Sequence, residues 1–268
     1  MPESSSVWWE GAVWLTGSFL MAVVWTNVAW YLRQPRSAAV GQDDDRLATW
    51  AGDPSLLQAL RLVYYIGVPF AALVLGRDAV TARFAGLQPV TLPGSANGVG
   101  AAGNWDDWVR DIGWALGLGT GLWLLMTVAW RSHRRALAAS GEPLAPVRSG
   151  PSGWVLLREA LYHEVHWGFY RNAPLLALGE YWGVWIGLLI VGIEALLNPA
   201  WRTQLGSAAH DPLPWGRVAL AMVSSLLFLQ TGNLWVAIGL HFAVTLGLTV
   251  QARRRDLNGE PESGTAAP

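Results

Sequence analysis

The chain has 268 residues, of which 52% are hydrophobic and only 14% are charged, and its formal net charge is −1. A soluble domain carries about a quarter charged residues, so the composition argues against an ordinary soluble protein. The near-neutral charge argues against nucleic acid, which calls for a clustered basic surface. Because the chain has no cysteine, neither a disulfide framework nor a thiolate metal site is possible.

The apolar residues form blocks that are separated by short segments rich in Pro, Gly and Arg. A helix needs roughly 20 mostly apolar residues to cross the hydrocarbon core, and the blocks predict an all-α, multi-pass transmembrane bundle with about seven crossings. In chain order the predicted segments are residues 7–32, 57–75, 112–130, 154–170, 183–205 with a bend at Pro199, 218–229 and 234–250.

The distribution of positive charge predicts how the bundle is oriented. All 18 basic residues are arginines, and alternating crossings place most of them on one side. Those on or near the opposite side are Arg77, Arg83, Arg110 and Arg171. Since arginine concentrates in cytoplasmic loops, we expect a cell-membrane protein with its N-terminus outside and its C-terminus in the cytoplasm. The 18 tryptophans fit this location, because indoles favour the boundary between lipid and water.

The pattern of apolar and polar segments divides the chain into four predicted parts. Residues 1–131 form a three-helix membrane part, and residues 132–153 a cytoplasmic linker. Residues 154–252 form a helical core, and residues 253–268 a basic and then polar tail that reads as disordered. Polar residues inside predicted crossings lie almost entirely in the third part, where we therefore expect the functional site.

The stretch YHEVHWGFYRN, residues 162–172, concentrates ionisable side chains in an apolar setting. One such side chain in the bilayer costs about 2.5–3.5 kcal/mol on insertion scales, so the group needs partners. At 100° per residue, a helix places His163, His166 and Tyr170 on one stripe and Glu164 with Arg171 on a second stripe.

Two later crossings also carry polar stripes. Glu194 and Asn198 are four residues apart and share a helix face, as do His241 and Thr245. With the earlier segment, three helices are thus predicted to point polar side chains into one shared, water-accessible pocket.

The order of these residues resembles the CPBP intramembrane proteases, the CAAX-processing and bacteriocin-processing enzymes also called the Abi group. Their motifs are Glu-Glu-x-x-x-Arg, then Phe-x-x-x-His, then a late His-x-x-x-Asn. Over residues 154–252, Arg171 matches the arginine and His241 the late histidine. The other motif positions are held by His166 and Trp167 for the two glutamates, Glu194 and Asn198 for Phe and His, and Thr245 for the late Asn.

The resemblance implies a CPBP-like C-terminal half and a metal-dependent endopeptidase acting on membrane-embedded or lipid-modified peptides. It implies catalytic roles for Glu164, His166 and Arg171. Supporting roles fall to Asn198, Tyr170 and Thr245.

The polar residues that occupy these motif positions also predict a metal site. His166, Glu194 and His241 would form a two-histidine, one-carboxylate set, which suits zinc or another divalent metal with open positions. Water bound to zinc can reach a pKa of about 7 and would supply the nucleophile.

Two other functions stay open. One is a catalytically inactive membrane scaffold or partner subunit in a membrane protein complex. The other is a tetrapyrrole-binding protein with His166 and His241 as axial ligands. Structural roles are the alternatives for single residues: a bond across helices for His163, an ion pair for Glu164 with Arg171, backbone satisfaction at the bend for Asn198, and a bond within its own helix for Thr245.

Overall fold

A computed structural model describes residues 3–33, 53–76, 79–81, 83, 85–87, 105–141, 151–206 and 213–257. Within these ranges the regular secondary structure is entirely helical. The elements are α1 (Glu3–Arg33), α2 (Pro54–Leu62), a π-helical segment (Val63–Gly67), α3 (Val68–Leu75), α4 (Trp105–Ala139), α5 (Gly153–Leu197), α6 (Pro199–Gly206), α7 (Leu213–Thr231) and α8 (Leu234–Leu257).

Five helical stretches in the described ranges are long and apolar enough to cross a membrane. They are Val7–Leu32, Ser55–Leu75, Trp105–Ala139, Gly153–Leu197 and Leu234–Arg253. Large apolar side chains on their outer faces stay exposed, as Phe70 at 64% and Leu116 at 65% illustrate. Contiguous exposed apolar surface marks a site of contact with lipid or protein. The predicted all-helical membrane architecture is confirmed at this level.

The predicted segments 154–170 and 183–205 belong largely to one continuous element, α5. Gly179 interrupts it with φ at 77° and ψ at 177°, a conformation that favours glycine because a Cβ would clash. We call residues 153–178 the first arm of α5 and residues 180–197 the second arm. The predicted bend at Pro199 is also present, since α5 ends at Leu197 and α6 begins at Pro199.

The two arms fold back on each other as a helical hairpin. Side chains of His166 and Glu194, 28 positions apart, meet at 3.0 Å. A straight helix rising 1.5 Å per residue would separate them by about 42 Å. Small residues allow close contact between the arms: a Cβ added to Gly183 would lie 2.6 Å from the Cα of Leu175. Glycine at such a contact lets membrane helices approach closely.

The first arm of α5 lies at the centre of the packing. It and the second arm together contact α1, the π-helical segment, α7 and α8. The helix α4, which the predicted division places in the front part, packs against α7 and α8. Leu227, Leu240 and Leu122 form the apolar core between these three helices, and Trp167 of α5 joins it. Helices from both predicted membrane parts therefore contribute to one bundle.

Two predicted boundaries differ from the observed helix ends. The helix α4 continues to Ala139, past the predicted start of the linker, and α8 continues to Leu257, past the predicted start of the tail. Residues 142–150 and 258–268 of these two predicted parts lie outside the described residues.

The close contact between the arms predicts a strong effect of Gly183→Val. The new side chain would meet backbone atoms of Leu175, which cannot move aside easily, so we expect a destabilisation of about 1–3 kcal/mol or more. Thermal unfolding of the detergent-purified protein measures it. Gly192→Val on the same arm is the matched control, because a Cβ there meets no atom within 4 Å. Equal melting temperatures for the two variants would contradict the hairpin contact.

Candidate functional site

The first arm of α5 carries four polar side chains that are at most 3% exposed, those of Glu164, His166, Arg171 and Asn172. Residues 166–175 are all buried. Because successive residues are turned by 100°, Glu164 and His166 point in directions about 200° apart. The polar residues therefore form two clusters on opposite faces of this arm. We call them the Glu164 cluster and the His166 cluster.

The Glu164 cluster joins the first arm of α5 to α7 and α8. The Glu164 side chain is fully buried, and its Oε1 lies 2.9 Å from Nδ1 of His241. The hydroxyl of Ser224 donates a hydrogen bond to Oε2 of the same carboxylate. An ionised carboxylate only accepts, so Nδ1 donates to Glu164, and Nε2 is the ring nitrogen that this contact leaves available. Among the described residues, Nε2 has no hydrogen-bond partner.

Aromatic side chains fix the plane of the His241 ring. His163 stacks on it at 5.8 Å between ring centres, and Trp167 stacks at 5.6 Å, both at 23°. His163 itself donates from Nδ1 to the carbonyl of Glu159 at 2.7 Å, within its own helix. Within the described ranges, no hydrogen bond joins His163 to another helix. Its contact with α8 is a ring contact.

Arg171 lies on the same side of the arm as Glu164 and is 1% exposed. Its Nη2 donates to Oγ of Ser225 at 3.3 Å, and its guanidinium lies 4.8 Å from the centre of the Phe228 ring. Nε and Nη1 have no acceptor within the described part of the chain. Glu164 and Arg171 thus bond to neighbouring serines of α7, and no direct ion pair joins them in the ranges described. A buried cation with free donors is able to hold an anion.

The His166 cluster lies on the other face of the arm. Nε2 of His166 is 3.0 Å from Oε2 of Glu194 on the second arm. The hydroxyl of Tyr64 lies 3.3 Å from Nε2 of His166, 3.3 Å from Oε2 of Glu194 and 3.0 Å from the hydroxyl of Tyr170. The π-helical segment and the two arms of α5 therefore place four polar atoms around one point.

The structure brings two of the three predicted metal ligands together. His166 and Glu194 are in contact, whereas His241 pairs with Glu164 on the opposite face. No group of three or more His, Asp or Glu side chains that could hold a metal ion occurs in the described ranges. The ring of His166 packs against Tyr65 and that of His241 against Trp167. The two histidines thus do not face a common gap of the kind that a tetrapyrrole requires.

Two of the predicted supporting residues satisfy backbone groups. The side chain of Asn198 accepts a hydrogen bond from the amide of Ala200 at 3.0 Å, at the junction of α5 and α6. The hydroxyl of Thr245 donates to the carbonyl of His241 at 2.8 Å. Both contacts agree with the structural alternatives for these residues, and only Tyr170 of the three lies in a cluster.

Sequence reasoning missed several residues of the site. Ser224 and Ser225 are the two adjacent hydroxyl residues in an otherwise apolar stretch of α7, a signal that was available. Nothing in the sequence marked Tyr64 as a site residue except the adjacent tyrosine, Tyr65. A further buried contact, from Nδ2 of Asn233 to Oδ2 of Asp111 at 3.1 Å, ties the start of α8 to α4.

Comparisons of the chain with protein-family models, with curated proteins and with solved structures found no match. The function is therefore inferred from the geometry of the two clusters.

The buried contacts of Glu164 predict a large effect of Glu164→Ala on stability. The change leaves Nδ1 of His241 and the hydroxyl of Ser224 buried without their acceptor. Breaking a buried pair in this way costs about 3–5 kcal/mol. Urea unfolding in detergent provides the measurement. Glu180→Ala is the matched control, since Glu180 is an exposed glutamate of the same element and its removal should cost no more than about 0.5 kcal/mol. Similar values for both variants would rule out the buried pair.

Proposed function

We propose that the chain is an intramembrane hydrolase of CPBP type that cleaves membrane-embedded or lipid-modified peptides. In this proposal the two arms of α5 are separate crossings. Together with α1, the unit from α2 to α3, α4, α7 and α8 they make the predicted seven. The N-terminus lies outside the cell membrane and the C-terminus in the cytoplasm.

The contact between Glu164 and His241 is the observation that carries the proposal. A carboxylate that holds Nδ1–H of an imidazole fixes its tautomer and orientation and stabilises the imidazolium that forms during proton transfer. Nε2 is then free to take a proton from water. In the CPBP motifs a glutamate pair precedes the arginine, and Glu164 lies two residues before the first of those positions. His241 is thus the catalytic base and Glu164 its positioning residue.

Arg171 supplies the electrostatic part of the mechanism. Water adds to the peptide carbonyl carbon as His241 takes its proton, and the negative charge that develops on the carbonyl oxygen requires donors. The unpartnered N–H groups of Arg171 are able to provide them. The C–N bond then breaks, and the proton on His241 passes to the leaving amine. The proposed mechanism uses no metal ion, because the predicted ligands His166, Glu194 and His241 do not form one group.

The proposal predicts that His241→Gln lowers the rate of peptide cleavage by about 10²–10⁴-fold, the usual contribution of a general base. The assay uses proteoliposomes that contain single-span peptides, with and without a lipid modification, and detects the products by mass spectrometry. His133→Gln is the control, because His133 lies beside Trp130 on α4, outside both clusters.

The variant Glu164→Gln distinguishes the role of Glu164 in positioning His241 from its role in folding. A glutamine keeps the shape and an acceptor for Nδ1 but no charge, so the melting temperature should change less than in Glu164→Ala while cleavage falls. Wild-type protein that cleaves none of the peptides, or His241→Gln that cleaves as fast as wild type, would overturn the hydrolase.

A membrane scaffold or partner subunit is the second candidate. Two observations favour it. Glu164 is completely buried, and His166 and His241 each contact a glutamate of the same chain. Absence of cleavage by the wild type, together with a large loss of stability in Glu164→Ala, would support the scaffold.

A further inference from the structure

The His166 cluster has more close polar contacts than its protons can fill. Its four atoms make four contacts of 3.0–3.3 Å. With Glu194 ionised, the only protons at these atoms are one on the imidazole and one on each phenol. At most three of the four contacts are therefore ordinary two-centre hydrogen bonds. A cation among the four atoms would satisfy all four at once.

The spacing of these atoms fits ligands of a single ion. With bonds of about 2.0–2.1 Å, as for zinc, neighbouring ligand atoms of a tetrahedral site are about 3.3 Å apart, so the spacing indicates a metal ion and not which one. Two contacts of Tyr64, to His166 and to Glu194, measure 3.3 Å, and the other two contacts measure 3.0 Å. The hydroxyl of Tyr64, Nε2 of His166 and Oε2 of Glu194 thus already have the mutual spacing of ligands on one ion, and the hydroxyl of Tyr170 lies next to that of Tyr64.

Two buried groups next to the cluster point to the same place. Nδ1 of His166 is buried without a partner among the described residues, so Nε2 is the one polar atom through which this imidazole is bound. Ser18 of α1 is 3% exposed and lies beside the hydroxyls of Tyr64 and Tyr170. Its Oγ makes no hydrogen bond of good geometry within the described part of the chain, which leaves another oxygen at the cluster.

The π-helical segment explains how two adjacent tyrosines reach one histidine. The rings of Tyr64 and Tyr65 lie 5.0 Å and 5.1 Å from the ring of His166. The wider turn of Val63–Gly67 turns both toward the first arm of α5. Single π-helical turns of this kind occur frequently at functional sites. Only Tyr64 places its hydroxyl among the four donor atoms, since Tyr65 stacks on Tyr162 at 5.7 Å.

From these observations we infer that Tyr64, His166, Tyr170 and Glu194 form a binding site for a ferric ion. One carboxylate and two phenolates carry three negative charges, which a ferric ion neutralises. A neutral assembly is the form that the low-dielectric interior tolerates best. Hard anionic oxygen donors also suit a hard cation, and imidazole is a common iron ligand.

Binding is balanced by proton release. The two phenols lose their protons to the medium, and the imidazole proton resides on Nδ1 when Nε2 binds the ion. No electron is transferred. The inference does not depend on peptide hydrolysis, because His241 and Glu164 lie on the opposite face of the arm.

The test is a titration of the purified full-length protein in detergent with ferric nitrilotriacetate. We expect one iron per chain by elemental analysis and a visible charge-transfer band from phenolate to iron. Tyr64→Phe should lose the iron or weaken its binding more than about tenfold, at least the effect of removing an outer-shell partner. Tyr65→Phe, the neighbouring tyrosine outside the donor set, should keep both the iron and the band.

A second variant separates this site from the metal set that the sequence predicts. His241→Asn should keep its iron, because His241 is not a ligand here. Loss of iron in that variant at an unchanged melting temperature would overturn the inference. Absence of a band with the wild type, or stoichiometric zinc in place of iron when both are offered, would overturn it as well. Cleavage assays are not needed, so failure of the hydrolase and failure of this site are distinguishable.

Discussion

An ionisable side chain in the hydrocarbon core must find a partner on another helix, and this requirement organises the bundle around the first arm of α5. The arm carries Glu164 and Arg171 toward α7 and α8 and His166 toward the second arm and the π-helical segment. Each unpaired group would cost about 2.5–3.5 kcal/mol in lipid. An arm with polar groups on opposite faces therefore cannot lie at the lipid boundary. It has to be enclosed, and its burial from residue 166 to 175 follows from that need.

The hairpin at Gly179 supplies half of this enclosure. Without the reversal, Glu194 would be far from His166 and would itself need another partner. Glycines at the contact make the reversal compact, because Gly183 and Gly187 bring the second arm against the backbone of the first. The front part of the chain contributes too, since Tyr64 comes from the segment between α2 and α3. Residues from both membrane parts of the chain thus contribute to the packing around these polar groups.

The periodic spacing of residues in the sequence was sufficient to predict the helices and the two polar stripes on the first arm of α5, because both depend only on local geometry. The predicted metal set also grouped Glu194 with His166, which are in contact. Periodicity was not sufficient for the partners of the second stripe: Ser224 and His241 reach Glu164 through packing between distant helices, which no local pattern encodes. The single predicted pocket became two clusters because residues two apart on a helix point in nearly opposite directions. The reversal at Gly179 lies in the gap between the predicted segments 154–170 and 183–205.

The energetics of the Glu164 cluster bear on what the cluster is for. A buried ion pair or carboxylate–imidazole pair gains little net stability over apolar side chains of similar volume, since desolvation offsets much of the attraction. Removing one partner is nonetheless costly, because the other is left buried and unpaired. Large destabilisation in a truncation variant therefore says nothing about catalysis. The isosteric change of Glu164 to glutamine keeps the volume and an acceptor for Nδ1–H. It removes only the charge that would stabilise an imidazolium, and so it distinguishes a base from a structural contact.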